Sequence, residues 1–421
     1  MRRIAVLVMF LFVIGMDSIV SADEIAELKQ QLAEMQQRLE KLEAAQKMQE
    51  RQIDEKIVEV IDSKKVEALP ESLKWAENVK ISGDLRYRHE TIEEQADGRP
   101  DRQRNRVRAR LNIKGKVNDE WDIGVRLASG SADPASTNQT LEDSFSSKEM
   151  WLDLAYFNWH PDSVQGFDVF GGKMKNPFYK AGKNQLIWDD DVNPEGVAAQ
   201  YEMPLNDCQK LYLNGGGFWV NESASGVDTS LFGVQAYLKH LFADKSYLVG
   251  GVSYFDYGNI KGQGDLKTAW SSSGSFFGNT SAANAFVNDY DLVEAFGEYS
   301  FKANGMPVSF YGNYVQNVSA DTSGDTGWLI GCKINKAQKV GSWQFNYNYR
   351  DLQADAVLGA LSDSDFIGGG TDGRGHKFSL KYQLAKNLQT GLTYLLDEVG
   401  SSSSSDEENY RRLQADLILK F

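Results

Sequence analysis

The feature that most constrains this chain is a period-two alternation of apolar and polar residues, which starts near residue 79 and continues to the C-terminus. Within residues 105–117, for example, Val107 and Leu111 fall on one face of an extended chain, and Arg108 and Arg110 fall on the other. Successive side chains of a β-strand point to opposite faces. Strict alternation therefore indicates strands with one apolar and one polar face.

The alternation predicts sixteen antiparallel strands separated by turns and loops. They lie near residues 79–90, 105–117, 120–129, 148–159, 166–174, 195–203, 210–219, 230–241, 245–257, 291–301, 306–317, 326–335, 341–352, 374–384, 387–396 and 409–421. An even number of antiparallel strands returns the C-terminus to the side from which the first strand starts.

The connections between these strands alternate in length. Residues 91–104, 130–147 and 175–194 are long connections, whereas 118–119 and 204–209 are short ones. Transmembrane β-barrels have short periplasmic turns and longer outer loops, while a soluble sandwich has no reason to keep its long loops at one end. We therefore predict an all-β transmembrane barrel of sixteen antiparallel strands over residues 79–421, with a soluble exported β-protein as the alternative.

The composition fits a barrel and argues against several other classes of protein. Apolar residues make up 41% of the chain and the mean hydropathy is −0.45, whereas each membrane-spanning helix needs roughly 20 mostly apolar residues. Two cysteines exclude a disulfide scaffold, and a net charge of −14 disfavours nucleic acid as a partner. The four histidines have no convincing serine partner by register. We expect no enzyme, no cofactor and no metal site.

The N-terminal region carries an export signal and a helical segment. Residues 1–22 combine two arginines, an apolar stretch and a small-residue end, as in a secretory signal peptide, with an uncleaved anchor as the alternative. Residues 23–68 place apolar side chains at the a and d positions of heptads. This pattern predicts a coiled-coil helix in the periplasm, with a lone amphipathic helix as the alternative. Residues 69–78 follow as a linker.

The last strand ends on a terminal phenylalanine. Along residues 413–421, apolar residues occupy every second position up to Phe421. This arrangement resembles the C-terminal strand signal of bacterial outer-membrane proteins, which their insertion machinery reads. We therefore expect Phe421 to act as a membrane-assembly signal, with outer-membrane lipid surrounding the barrel.

Several stretches of the barrel region resemble the putative-porin family of Gram-negative bacteria, which is distantly similar to the phosphate-selective porins. In chain order they are residues 172–178 (GKMKNPF), 186–191 (LIWDDD), 194–198 (PEGVA), 349–351 (YRD), 354–357 (ADAV), 363–366 (DSDF) and 370–372 (GTD). The resemblance implies an outer-membrane pore for small hydrophilic solutes, usually a homotrimer. The coiled-coil prefix is similar to that of porins whose periplasmic helices reach toward the peptidoglycan of the cell wall.

The polar faces of the first three strands predict a basic wall inside the barrel. This basic wall consists of six arginines: Arg86, Arg88, Arg106, Arg108, Arg110 and Arg126. A guanidinium group does not lose its proton in a protein, and walls of Arg and Lys favour anions in pores. We therefore expect ion transport by passive diffusion with a preference for anions.

The third long connection, 175–194, carries three consecutive acids, Asp189, Asp190 and Asp191. In the sixteen-stranded porins that the chain resembles, this loop folds into the lumen, where its acids would face the basic wall. We expect these acids and the six arginines to form the pore constriction and to set ion selectivity. The alternative is that all nine are solvated lumen and loop charges.

Two other functions are weighed against a passive channel. The first is a structural tether that joins the outer membrane to the cell wall through the coiled coil, and it could coexist with a channel. The second is a hydrolase embedded in the barrel, which would need a nucleophile and a base on adjacent strands. The scattered histidines offer no such pair by register.

Overall fold

The computed structural model describes residues 71–94, 100–224, 226–264, 266, 276–400 and 408–421, together with Glu34, Gln37, Arg38, Lys41 and Met48. The chain divides into two compact units, Met1–Lys74 and Trp75–Phe421. The five isolated residues of the first unit are helical. The predicted signal peptide and the rest of the predicted coiled coil lie outside the described residues.

Sixteen antiparallel strands of the second unit form one closed barrel, which confirms the predicted strand number. In chain order they are β1 Val79–Glu94, β2 Arg102–Lys116, β3 Trp121–Ser129, β4 Met150–Trp159, β5 Phe167–Lys173, β6 Glu195–Asn206, β7 Gln209–Asn221, β8 Thr229–Leu241, β9 Tyr247–Gly258, β10 Tyr290–Ala303, β11 Met306–Asn317, β12 Thr326–Ile334, β13 Trp343–Leu352, β14 Gly373–Ala385, β15 Leu388–Val399 and β16 Glu408–Lys420. Each strand pairs with its neighbours in the chain, and β1 also pairs with β16, which closes the barrel.

Helical structure in the described residues is short. The 3₁₀ segments are Glu71–Asn78, Ala181–Lys183, Gly359–Leu361 and Phe366–Gly368. Among the helices of the described residues, none combines the length and the apolar content that a membrane crossing requires.

The outward face of the strands is apolar and the inward face is polar. In β3, the side chains of Ile123, Val125 and Leu127 are exposed, whereas Arg126 between them is buried inside the barrel. Several aromatic residues also lie exposed on the barrel: Tyr87, Trp121, Trp151 and Trp343. The alternation seen in the sequence therefore separates a lipid-compatible outer surface from a polar lumen.

The connections alternate between tight turns and long loops. The shortest turns are 207–208, 304–305 and 386–387, and the longest loops are 130–149, 174–194, 259–289 and 353–372. Some strands extend beyond their predicted ends, since β1 continues to Glu94 by pairing with Tyr410 of β16. The first connection is correspondingly shorter than the sequence suggested.

A buried apolar cluster lies inside the barrel and is supplied in large part by the long loops. Leu186 and Trp188 of loop 174–194 belong to the same cluster as Val357 and Phe366 of loop 353–372. The Trp188 ring lies edge-on to Phe255 of β9, with 5.6 Å between the ring centroids. Burial of this apolar surface holds the loops against the barrel wall.

The barrel closes at a close contact between Gly83 and Phe421. The backbone N–H of each residue donates to the carbonyl of the other at 3.1 Å. A Cβ atom on Gly83 would lie 2.5 Å from the Phe421 ring and 2.5 Å from the carbonyl oxygen of Arg110. Only glycine fits where the terminal ring crosses β1.

Replacing Gly83 by alanine should lower the free energy of unfolding by roughly 1–3 kcal/mol, because the added carbon overpacks this contact. Urea unfolding of the barrel in lipid vesicles measures the change. Gly250→Ala is the matched control, since a Cβ atom there meets no atom within 4 Å. Equal losses in the two variants would show that the Phe421 contact is not the cause.

Candidate pore constriction

The pairing of β1 with β2 brings most of the predicted basic wall together. In this register Arg86 lies opposite Arg108, and Arg88 lies opposite Arg106. Arg110 lies opposite Asp84. Because these positions alternate with lipid-facing residues on both strands, their side chains project into the barrel.

Asp84 of β1 neutralises part of the basic wall. Its carboxylate accepts hydrogen bonds from Arg108 at 2.7 Å and 3.1 Å and from Arg110 at 2.8 Å. Two guanidinium groups therefore share one carboxylate on the same inner face. Asp84 stands on the polar face of strand 1 in the sequence, so the periodicity alone could have identified it.

A second carboxylate network surrounds Arg88. Its guanidinium donates to both oxygens of Asp416 on β16, at 2.6 Å and 2.9 Å, and lies 3.4 Å from Asp365. Glu90, which is fully buried, lies 3.4 Å from Arg88 and 2.9 Å from Arg412. Glu90 belongs to β1 itself, whereas Asp416 comes from β16 and Asp365 from loop 353–372, so only barrel closure and loop folding bring these two to Arg88.

The remaining two arginines of the basic wall do not line the main cavity of the barrel, a space of about 780 Å³ that the other four share. Arg126 forms a buried ion pair with Asp153 of β4, whose other oxygen accepts a hydrogen bond from Asn193 at 2.7 Å. Arg106 lines a separate, smaller cavity of about 170 Å³ together with Arg104. The structure therefore does not group all six arginines around one space.

Loop 174–194 folds into the barrel, as the resemblance implied. The Phe178 ring packs edge-on against Phe255 with 4.9 Å between the ring centroids. The backbone N–H of Gly182 donates to Glu298 at 2.7 Å. Gly182 has a positive φ of 59°, and a Cβ atom there would lie 2.3 Å from the Tyr311 ring. The loop therefore needs glycine at its closest approach to the wall.

Asp189 is the buried member of the acidic run. Its oxygens accept backbone hydrogen bonds from Ser364 at 2.9 Å and from Asp191 at 2.8 Å. Burial, followed by the nearby carboxylates of Asp363 and Asp191, raises the pKa of Asp189 well above its ordinary value. This side chain attaches one loop to the other.

The other two acids of the run have different surroundings. Asp191 accepts hydrogen bonds from Thr137 and lies 3.6 Å from Arg110. Burial opposes ionisation, but Arg108 and Arg110 lower the pKa of Asp191 below its ordinary value. Asp190 is more than half exposed and pairs with Lys180 of its own loop. The three acids therefore do not form one acidic face opposite the basic wall. Asp189 joins two loops, Asp191 lies against Arg110, and Asp190 is exposed and pairs with Lys180.

The inward faces of β12 to β14 carry bases that sequence reasoning did not select as site residues. They are Lys333 of β12, Arg350 of β13, and Lys377 and Lys381 of β14. Arg350 and Lys377 both bind the carboxylate of Asp363, at 2.8 Å and 3.0 Å. All four alternate with outward-facing residues on their strands, so the period-two pattern could have identified them as lumen residues.

These groups surround a cavity of about 780 Å³ within the barrel. Four arginines of the basic wall and all three acids of the run line it: Arg86, Arg88, Arg108, Arg110, Asp189, Asp190 and Asp191. Across the whole lining, twelve residues are Lys or Arg and six are Asp or Glu. The described residues contain no group of three or more metal-binding side chains.

Comparisons with known proteins show which family and which solved structures this barrel is similar to. The family described as Putative porin matches residues 90–291 and 289–421. No curated protein matches the chain. Among solved structures, OprB of Pseudomonas putida aligns with a TM-score of 0.56 at 10% identity, covering 82% of this chain and 95% of that one.

A second solved structure agrees on the fold. The OmpF of Salmonella typhi, in complex with daunomycin, aligns with a TM-score of 0.51 at 11% identity, covering 82% of this chain and 97% of that one. At such identities the likeness shows the fold alone. Because the family match spans most of the barrel, this chain belongs to the putative-porin family, and family and fold together indicate an outer-membrane channel rather than an enzyme.

Proposed function

We propose that the protein is a passive diffusion channel for small hydrophilic solutes and ions, with a preference for anions. The observation that carries this proposal is the two-to-one excess of basic over acidic residues in the lining of the main cavity. A sphere of the cavity's volume, about 780 Å³, has a radius of about 6 Å, which is shorter than the Debye length of about 8 Å at physiological salt. An ion inside therefore experiences the lining charges with little screening.

The pairing pattern inside the lumen refines the predicted constriction. Asp191 touches the basic wall at Arg110, and Asp189 is buried between two loops. Asp190 is then the one acid of the run that is largely exposed toward the cavity. We propose that selectivity arises from the excess of lumen bases, with Asp190 moderating it.

Removing charge from the basic wall should weaken the anion preference. The change is Arg108→Gln alone, because Arg110 then remains as a partner of both Asp84 and Asp191, and a buried carboxylate left alone would destabilise the fold. The chloride-to-potassium permeability ratio, from reversal potentials in planar bilayers, should fall by up to about fivefold, since one charge near 4 Å in water is worth about 1 kcal/mol. Lys245→Gln, in an exposed turn, is the control. An unchanged ratio in Arg108→Gln would contradict the assignment.

The acids of loop 174–194 should respond unequally to neutralisation. Asp190→Asn should raise the chloride-to-potassium ratio, because it removes an exposed negative charge from the cavity. Asp189→Asn should change the ratio much less, because Asp189 is buried and its oxygens are bound to the backbone N–H groups of Ser364 and Asp191. Equal gains in both variants would show that Asp189 is ionised and reaches the ion path.

Strand lengths support a homotrimer. β5 has 7 residues and is the shortest of the sixteen strands, and β3 and β4 before it have 9 and 10, whereas β6 to β11 have 12 to 14. Seven residues cover about 23 Å along a strand, or about 16 Å across a membrane at a tilt of 45°, against an apolar band of about 25 Å. Packing this low side of the barrel against other copies avoids a mismatch with lipid.

Two further assignments complete the proposal. Phe421, whose ring lies over Gly83 at the barrel seam, serves as the assembly signal. Exposed apolar residues on the outward strand faces support a location in the outer membrane, surrounded by lipid. Both assignments rest on residues of the second unit alone.

A tether between the outer membrane and the peptidoglycan is the second candidate function. The heptad pattern of residues 23–68 favours it, and the described residues of that range are helical. The sequence predicts that this coiled coil lies in the periplasm.

Deleting residues 23–68 separates the two functions. Because the barrel holds the whole described cavity, conductance and trimer mass should be unchanged in purified protein. Cells that carry only the deletion variant should lose envelope integrity, measured as sensitivity to detergent. Intact envelopes in these cells would exclude the tether, whereas lost conductance would show that the coiled coil supports the channel.

A further inference from the structure

Arg86 differs from every other arginine of the basic wall in its partners. Each of the others has a carboxylate within 4.0 Å, supplied by Asp84, Glu90, Asp153, Asp191 or Asp416. No carboxylate of the described residues lies within that distance of Arg86. Its guanidinium donates to the side-chain oxygen of Asn138, and its Nε is buried and has no partner.

Arg86 is nevertheless buried among like charges. Its side chain is only 9% exposed, and it lines the main cavity beside Arg88 and Arg108. Taking a charged group out of water without a counter-charge costs several kcal/mol. The site therefore lacks one negative charge that would offset this cost.

The side chains around Arg86 already have partners of their own, and these partners hold them in place. Arg108 is bound to Asp84 and Arg88 is bound to Asp416. The Asn138 amide donates to Ser136 at 3.3 Å, which orients its oxygen toward Arg86. Of the four wall arginines that line the main cavity, Arg86 is therefore the one that no carboxylate of the described residues neutralises.

We propose that Arg86 is the anion-binding residue of this channel and that its ligand is a small oxyanion, a carboxylate or a phosphate. A guanidinium group presents parallel N–H donors that match two oxygens of one such ion, whereas chloride can occupy only one position. This inference rests on the proposed channel function and specifies its solute class.

Block of chloride current by added oxyanion tests the site. Inorganic phosphate and acetate are titrated separately against the wild-type channel in planar bilayers, and each should reduce the chloride current saturably. In Arg86→Gln the half-blocking concentration should rise by about tenfold, because a hydrogen bond to a charged group contributes about 1.5–3 kcal/mol. Lys336→Gln removes an exposed base from the same lining and should shift this concentration by less than about twofold.

Two more variants separate charge from geometry. Arg86→Lys keeps the charge without the fork and should bind oxyanions more weakly than wild type. Asn138→Asp places a carboxylate where the amide oxygen now meets Arg86, so it should abolish the saturable block while Arg86 is still present. Arg86→Lys decides the question if Arg86→Gln fails to show the heat-modifiable gel mobility of a folded barrel.

The possible failures are distinguishable. A wild-type channel that prefers potassium over chloride would overturn the proposed function. Anion preference with no saturable block, or with the same block in Arg86→Gln, Arg86→Lys and wild type, would overturn the Arg86 site alone. If only phosphate or only acetate blocks, the site stands and its ligand is narrowed to that ion.

Discussion

The pairing of β1 with β16 is the constraint on which the rest of the molecule depends. A sheet in a bilayer must satisfy every backbone N–H and C=O within itself, and only a closed sheet does so without an edge. Closure fixes one face of each strand toward lipid and the other toward the lumen. It also joins Arg88 near the start of the barrel to Asp416 near its end, at 2.6 Å. The charged interior is therefore a product of the same seam that completes the backbone.

The charged groups inside the lumen have two roles. Most of them neutralise one another, and the remaining bases give the cavity its positive charge. Asp84 and Glu90 flank Arg86 and Arg88 on the inner face of β1, so the wall carries much of its own neutralisation. The residual positive charge of the cavity lining comes from Arg86 and from the lysines of β12 and β14. Net charge of the whole chain says little about this balance, because most acids lie outside the cavity lining.

Local periodicity was sufficient for the strands but not for the partners of the inward charges. Alternation placed Arg86 and Arg108 on the inner face, because side-chain direction depends only on strand geometry. It could not pair Arg350 with Asp363, which belongs to a loop whose fold depends on contacts with another loop. The run Asp189 to Asp191 looked uniform for the same reason, since the folded environment alone distinguishes its members.

Loops 174–194 and 353–372 are fastened to each other as well as to the wall. The N–H of Asp189 donates to the carbonyl of Leu361 at 2.8 Å, and the N–H of Ser364 donates to the Asp189 carboxyl at 2.9 Å. These two hydrogen bonds, one between backbone groups and one to a side chain, join the two loops into one structural unit. In engineered chimaeras between relatives, the two loops would have to be transplanted together, although 158 residues of sequence separate their ends.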